Sequence, residues 1–371
     1  MCRGIGDQAY ELVCVYAGMA GHRTGSDGDA QTVRWLAREL AARGANVSME
    51  PFSYRHFDAD VTVRCAGRTI NAMALYYSFS GQHQLRKAAA GVIDAHGDEQ
   101  VMSSDIARMV SDAKADGCDG LMLATQSPTG ALCAINRENG TETEFPVILV
   151  AEKDLQAIQA AEADIQCSAV IRDGEAANIV ARFAGPPGAG SLVITTPVSG
   201  WFSCAGERGT GLAIAVLLAK RLSSELTVDL LLASGHELGF AGGYALAENF
   251  DGGSGPVLHL GSCIANLGAQ MISVCTGDPT TNGRITASLQ PLGIRPAVPT
   301  EPHDPENWVG ESKCWAGHGR PMLSIAGQAP YFHTADDLPD VATTPKLLEE
   351  AIGAIGDAAS ALAGLGTPGG D

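Results

Sequence analysis

The chain has 371 residues, enough for one large α/β domain or two smaller ones, and its 45% apolar and 18% charged residues support a packed core and exclude a disordered chain. A formal charge of −18 excludes the broad basic surfaces that bind nucleic acid or anionic membranes. No run approaches the roughly 18 apolar residues of a membrane span, and the start MCRGIGDQAYEL lacks a basic-then-apolar leader, so a cytoplasmic protein is expected.

Residues Gly6–Ala20 read as an amphipathic helix. The Gly-rich turn GHRTGSDGDA follows, with Ser26 or Asp27 as cap of a helix over Ala30–Arg43 whose Val33, Leu36, Ala37 and Leu40 share one face. ANVSMEPFSY and DADVTVRCAG alternate as two strands. From Ile70 to Asp173 the texture changes: AAAGVIDAHG is a strand, SSDIARMVSDAKADGCDGLMLAT a helix, turn and strand, and EFPVILVAEKDLQAIQAA a strand and helix. Residues 70–173 are expected to form an inserted smaller α/β domain without convergent catalytic residues, and 1–69 with 174–371 the main domain.

The main domain resumes with the strands ANIVARFAG and GSLVITTPV, then a Gly-rich turn and helix in GWFSCAGERGTGLAIAVLLAKRL. LTVDLLLASGHELGFAGGYAL is a buried strand, a loop and a helix, and it places His236 and Glu237 at the carboxyl end of the strand, where open α/β sheets hold their ligands. A capping loop with both side chains in solvent is the plain alternative. PVLHLGSCIANLGA is another strand and loop, and 273–320 is polar with a helix around Asn282–Leu292. MLSIAGQAPYFHTADDLPD is the last strand and its loop, and TPKLLEEAIGAIGDAASALAGL a closing helix with Thr344 as cap and Pro345 in its first turn. The alternation predicts an α/β fold with a mostly parallel, mixed sheet and helices on both faces. The ten cysteines contain no CxxC pair and read mainly as small buried residues.

In this order, GHRTGSDGDAQTVRWLARELAARGANVSMEPF, an inserted unit, GSLVITTPV, GERGTG, SGHELGFAGG and APYFHTADD resemble the co-catalytic zinc aminopeptidase family, which includes glutaminyl cyclases and glutamate carboxypeptidase. The insert resembles a protease-associated domain. The resemblance implies a zinc-exopeptidase-like main domain and a site of two metals bridged by one Asp. Its HxD motif falls on Pro197 and Ser199, the bridging Asp on Glu207, the paired glutamates on His236 and Glu237, the later Asp on Gly261 and the final His on His333. One metal's ligands therefore survive as Glu207, Glu237 and His333, while the other set has lost its side chains at Pro197 and Gly261. The implied cofactor is a single divalent metal, zinc in this family, able to polarise a carbonyl or activate water.

His236 takes the general-base position, as a base toward bound water or as a fourth ligand that closes the site. His259, two residues before Gly261 and on the same strand face, replaces a lost ligand in part or makes only a local hydrogen bond. Glu311 is a candidate for orienting His333 or a substrate amine. Asp336 and Asp337 either hold the far nitrogen of His333 or are solvated turn residues. Cys204 and Cys263 lie in loops expected around the pocket, as nucleophiles beside a histidine or as small filler. His303 and His318 read as surface residues. The leading expectation is a metal-dependent hydrolase of an amide or peptide bond in a small substrate. The competing expectations are a non-catalytic binding or assembly protein, as in the transferrin receptor ectodomain, and a single-metal cyclase or transferase. No nucleic-acid or membrane partner is expected, and homo-oligomerisation is left open.

Overall fold

The computed structural model describes residues 3–19, 21–160 and 163–365. Its centre is a set of four parallel strands in the order Met322–Gln328, Val257–Leu260, Ser191–Pro197 and Thr227–Ala233. They read as continuous apolar runs because both faces are covered. Leu192, Ile194, Leu230 and Leu232 pack with the helices Ile5–Ala17, Thr210–Leu222 and Pro345–Leu362 on one face. Val193, Leu231 and Ala233 pack with Leu246, Trp308 and Trp315 on the other. Asp229, a carboxylate in this core, is buried opposite Arg182 of the antiparallel neighbour and accepts bonds of 2.7 and 3.0 Å from its guanidinium.

The helix after Ser191–Pro197 covers one face, and the helix after Thr227–Ala233, Ala241–Asn249, covers the other. Strand Val257–Leu260 then returns to the far side of Ser191–Pro197. This is a topological switch point, and the crevice outside the carboxyl ends of these strands is where such sheets take ligands.

The two strands expected in ANVSMEPFSY and DADVTVRCAG are one, Asn46–Cys65, paired with Ala163–Phe183 in unbroken antiparallel register. The charged middle, YRHFDAD, reads as a break but is paired across the ribbon, where Arg55 meets Asp173 at 2.6 Å. The ribbon leads to a smaller, inserted α/β unit: a four-stranded sheet in the order Ala72–Ala74, Val147–Ala151, Gly120–Gln126 and Ala88–Asp94, with helices Glu99–Ala115 and Glu152–Ala160. The unit folds back onto the main sheet, where Cys133 forms an isolated bridge with Thr334.

Ser26 caps helix Asp27–Ala42 by accepting the Asp29 amide at 3.1 Å. The helix expected at Asn282 begins at Pro279, because Asp278 takes the amides of Thr280 and Thr281, and its end over Gln290–Leu292 tightens to a 3-10 turn. Gly310–His318, within the stretch read as polar, is a 3-10 helix that carries Glu311 inside. The expected helix end at Ala20 and the PGGD tail lie outside the described residues. Among the described residues no helix is long and apolar enough to cross a membrane.

Candidate ligand pocket and the expected metal position

Strand Thr227–Ala233 ends in Ser234 and Gly235, and the positive φ of Gly235 (84°) turns the chain into the short 3-10 helix His236–Leu238. Gly243 then lets the next helix lie against Glu311, since a Cβ there would come within 2.8 Å of the Glu311 Cγ. His236 and Glu237 are both buried, so the loop is not a solvated cap.

Glu237 is held entirely by uncharged donors. One carboxylate oxygen accepts the Thr24 amide at 2.5 Å and the other the Ser199 hydroxyl at 2.7 Å. Ser199 Oγ also accepts the amides of Gly235 and His236, and Thr24 Oγ1 accepts the Gly235 amide. Ser199, at a lost metal-ligand position of the resemblance, thus fastens the His-Glu loop. The GHRTGS turn serves the same loop from the other side. The Glu237 carbonyl accepts the Arg137 amide from the inserted unit.

Glu207 is held differently. It sits in the π-helical turn Ala205–Gly209, where the carboxylate of Asp337 accepts the amides of Gly206 and Glu207, each at 2.9 Å. Its Oε1 lies 2.6 Å from Arg208 Nη2 and 3.2 Å from His333 Nε2. Burial pushes this carboxyl upward, but Arg208 and then His333 outweigh it and hold it down at about 2. Arg208 is itself 1% exposed, and its Nε donates to the Ser199 carbonyl at 3.1 Å. A fully buried guanidinium beside a carboxylate at the expected metal position is the feature the sequence reading missed. Its signal was in the letters, since ERG places an arginine next to the candidate ligand in a turn too Gly-rich to be a surface helix.

Three imidazoles face one pocket, each with Nδ1 anchored. His333 Nδ1 is 3.1 Å from the Ala134 carbonyl, which only accepts, so this nitrogen carries its proton. His259 Nδ1 meets Thr195 Oγ1 at 2.7 Å, and His236 Nδ1 meets Glu311 Oε2 at 3.0 Å. Burial pushes Glu311 up to about 8, with Glu237 adding and Arg208 opposing. Burial and Arg208 push His259 down to about 3 and His236 well below its usual range. Both directions favour the uncharged forms of His236 and Glu311, whose 3.0 Å contact shares one hydrogen. The pocket measures ≈ 180 Å³. Phe240, Phe332, Val309 and Ala326 line it from the main domain, and Glu99 and Met102 from the insert. The insert, expected to carry no convergent catalytic residues, walls the pocket and fixes His333.

The remaining candidates divide clearly. Asp337 is buried and holds the Glu207 turn, whereas Asp336 is exposed, and neither reaches the far nitrogen of His333, which Ala134 occupies. Cys204 and Cys263 are buried, and burial followed by carboxylates (Glu207 for Cys204, Asp337 and then Glu207 for Cys263) pushes both thiols well up, away from the thiolate a nucleophile needs. His303 and His318 are exposed as expected.

Among the described residues no group of three or more His, Cys, Asp or Glu side chains is arranged to hold a metal ion. The expected set is divided: Glu207 and His333 converge, but Arg208 takes the carboxylate, while Glu237 is turned to Thr24 and Ser199. A cation 4 Å from a guanidinium is repelled by about 4 kcal/mol per unit charge at an effective dielectric of ~20. The residues present do not fit a divalent metal.

No protein-family model matches the chain, and no curated protein sequence does. Solved structures do match over nearly its whole length. A peptidase M28 precursor from Shewanella amazonensis aligns at a TM-score of 0.76 with 17% identity, covering 98% of this chain and 96% of its own. The zinc aminopeptidase of Bacillus subtilis aligns at 0.73 with 12% identity, covering 96% of each chain. Porphyromonas gingivalis glutaminyl cyclase aligns at 0.51 with 11% identity, covering 95% of this chain and 96% of its own. At these identities the likeness concerns the backbone, and on it the chain has the zinc-exopeptidase fold.

Proposed function

We propose that this chain is a metal-independent member of the zinc-exopeptidase fold that binds a small ligand in the pocket between main sheet and insert, and that it does not hydrolyse peptides. The observation that carries this reading is the buried Arg208–Glu207 pair, which supplies within the protein the positive charge a metal would bring. The pocket also suits a compact ligand, since ≈ 180 Å³ is about six times the ~30 Å³ of a liquid water.

A single-metal amide hydrolase on Glu207, Glu237 and His333 is the second reading. The 3.2 Å separation of Glu207 Oε1 and His333 Nε2, close to that of two ligands on one metal, favours it. An assay of aminoacyl and N-acyl amides with zinc, manganese or cobalt added separates the two, with mass spectrometry distinguishing hydrolysed from cyclised or transferred products. The binding reading expects no turnover above buffer, together with thermal stabilisation by at least one amino-acid-sized compound in a panel. Metal-dependent release of amine would overturn it.

A further inference from the structure

The disagreement between fold and site centres on Arg208, with Glu237 turned away to Thr24 and Ser199. Tetrahedral zinc with ligands at about 2.0–2.1 Å sets two ligand atoms about 3.3 Å apart. Glu207 Oε1 and His333 Nε2 stand 3.2 Å apart, and neither is in a well-formed hydrogen bond. His333 has its other nitrogen fixed by a backbone carbonyl, the usual way a ligating imidazole is oriented. The amides of Gly206 and Glu207 are clamped by Asp337, so the carboxylate is presented from a rigid turn. The guanidinium Nη1 and Nη2 of Arg208 also lack well-angled partners, although Nη2 is within 2.6 Å of Glu207 Oε1. Glu207 Oε1, Arg208 Nη2 and His333 Nε2 thus meet at short range without the directional bonds that a site shaped around a guanidinium would provide. They share charge but not hydrogen-bond geometry.

We infer that Arg208 is a built-in substitute for a metal cation, and that removing its charge uncovers a latent divalent-metal site on Glu207 and His333. Glu237 is a further carboxylate in the same network, since Ser199 bonds Glu237 through its hydroxyl and Arg208 through its carbonyl. This inference rests on the metal-independent reading of the wild-type chain and extends it to the residue that enforces it. Arginine suits the role because it is charged at every relevant pH, so acidification or alkalinisation does not vacate the position.

The test is zinc uptake by the full chain after chelator treatment and dialysis against zinc, read by elemental analysis and by thermal unfolding with and without zinc. Wild type and Arg208→Lys are expected to take up no stoichiometric zinc and to show no zinc-dependent shift. Arg208→Asn is expected to bind stoichiometrically and to unfold several degrees higher with zinc, and Arg208→Asn combined with His333→Ala to lose both effects. If Arg208→Asn fails to fold without metal, recovery on refolding with zinc supports the inference and failure to recover overturns it. A folded Arg208→Asn that takes up no more zinc than wild type also overturns it, while leaving the metal-independent reading in place. Stoichiometric zinc in wild type that depends on His333 defeats that reading itself.

Discussion

Glu207 and Glu237 are both nearly inaccessible carboxylates at the head of one sheet, yet they are kept buried in opposite ways. Glu237 relies on neutral donors, a backbone amide and a serine hydroxyl. Glu207 relies on an ion pair with a guanidinium, with an imidazole 3.2 Å away. The first arrangement is directional and distributed over the loops around residues 24, 199 and 235. The second depends chiefly on Arg208, with His333 beside it. Two glutamates that look equivalent in a ligand list therefore differ in what they tolerate.

The largest break in this comparison comes from Arg208→Ala. It leaves Glu207 as a buried carboxylate without its cation, and removing one partner of such a pair costs about 3–5 kcal/mol. Denaturant unfolding should show this loss in metal-free buffer. Ser199→Ala should cost less, about 1–3 kcal/mol, because it removes one bond to Glu237 and the acceptor of the His236 amide, while the Gly235 amide keeps Thr24 Oγ1. A loss from Ser199→Ala as large as that from Arg208→Ala would erase the distinction between the two glutamates.

The pH dependence sharpens the same contrast. Glu207 is held at about 2, below its ordinary 4.5, so its contribution is present above about 4.5 and is lost as pH falls toward 2. Glu311 is raised from 4.5 to about 8, so its contribution is full below about 4.5 and is lost as pH rises through 8. Unfolding measured from pH 5 to 9 should therefore show a decline on the alkaline side that is shallower in Glu311→Gln. An unchanged slope in that variant would remove Glu311 from the account. The smallest effect is expected of Asp336→Asn, within about 0.5 kcal/mol, because this carboxylate is exposed and makes none of the bonds its neighbour Asp337 makes.

Much of the fold was legible because its signals are local. Apolar runs such as VITTPV and VDLLLA mark strands covered on both faces, and Ser26 and Thr344 mark helix starts. The long ribbon was not legible, because its charged centre is stabilised by a partner strand more than a hundred residues away. The site divides along the same line. Residue types at the positions of Glu207, Glu237, His236 and His333 could be read singly. That Ser199 ties Glu237, that Ala134 of the insert fixes His333, and that Arg208 pairs with Glu207 are facts of side-chain direction. A ligand list assumes that side chains converge, and Arg208 shows that an adjacent residue can change what they converge on.

The most direct test of the central claim is the metal content of the purified wild-type chain after dialysis against zinc. The account predicts no stoichiometric zinc and an unchanged result in His333→Ala. Stoichiometric zinc in wild type that disappears in both His333→Ala and Glu237→Ala would contradict it.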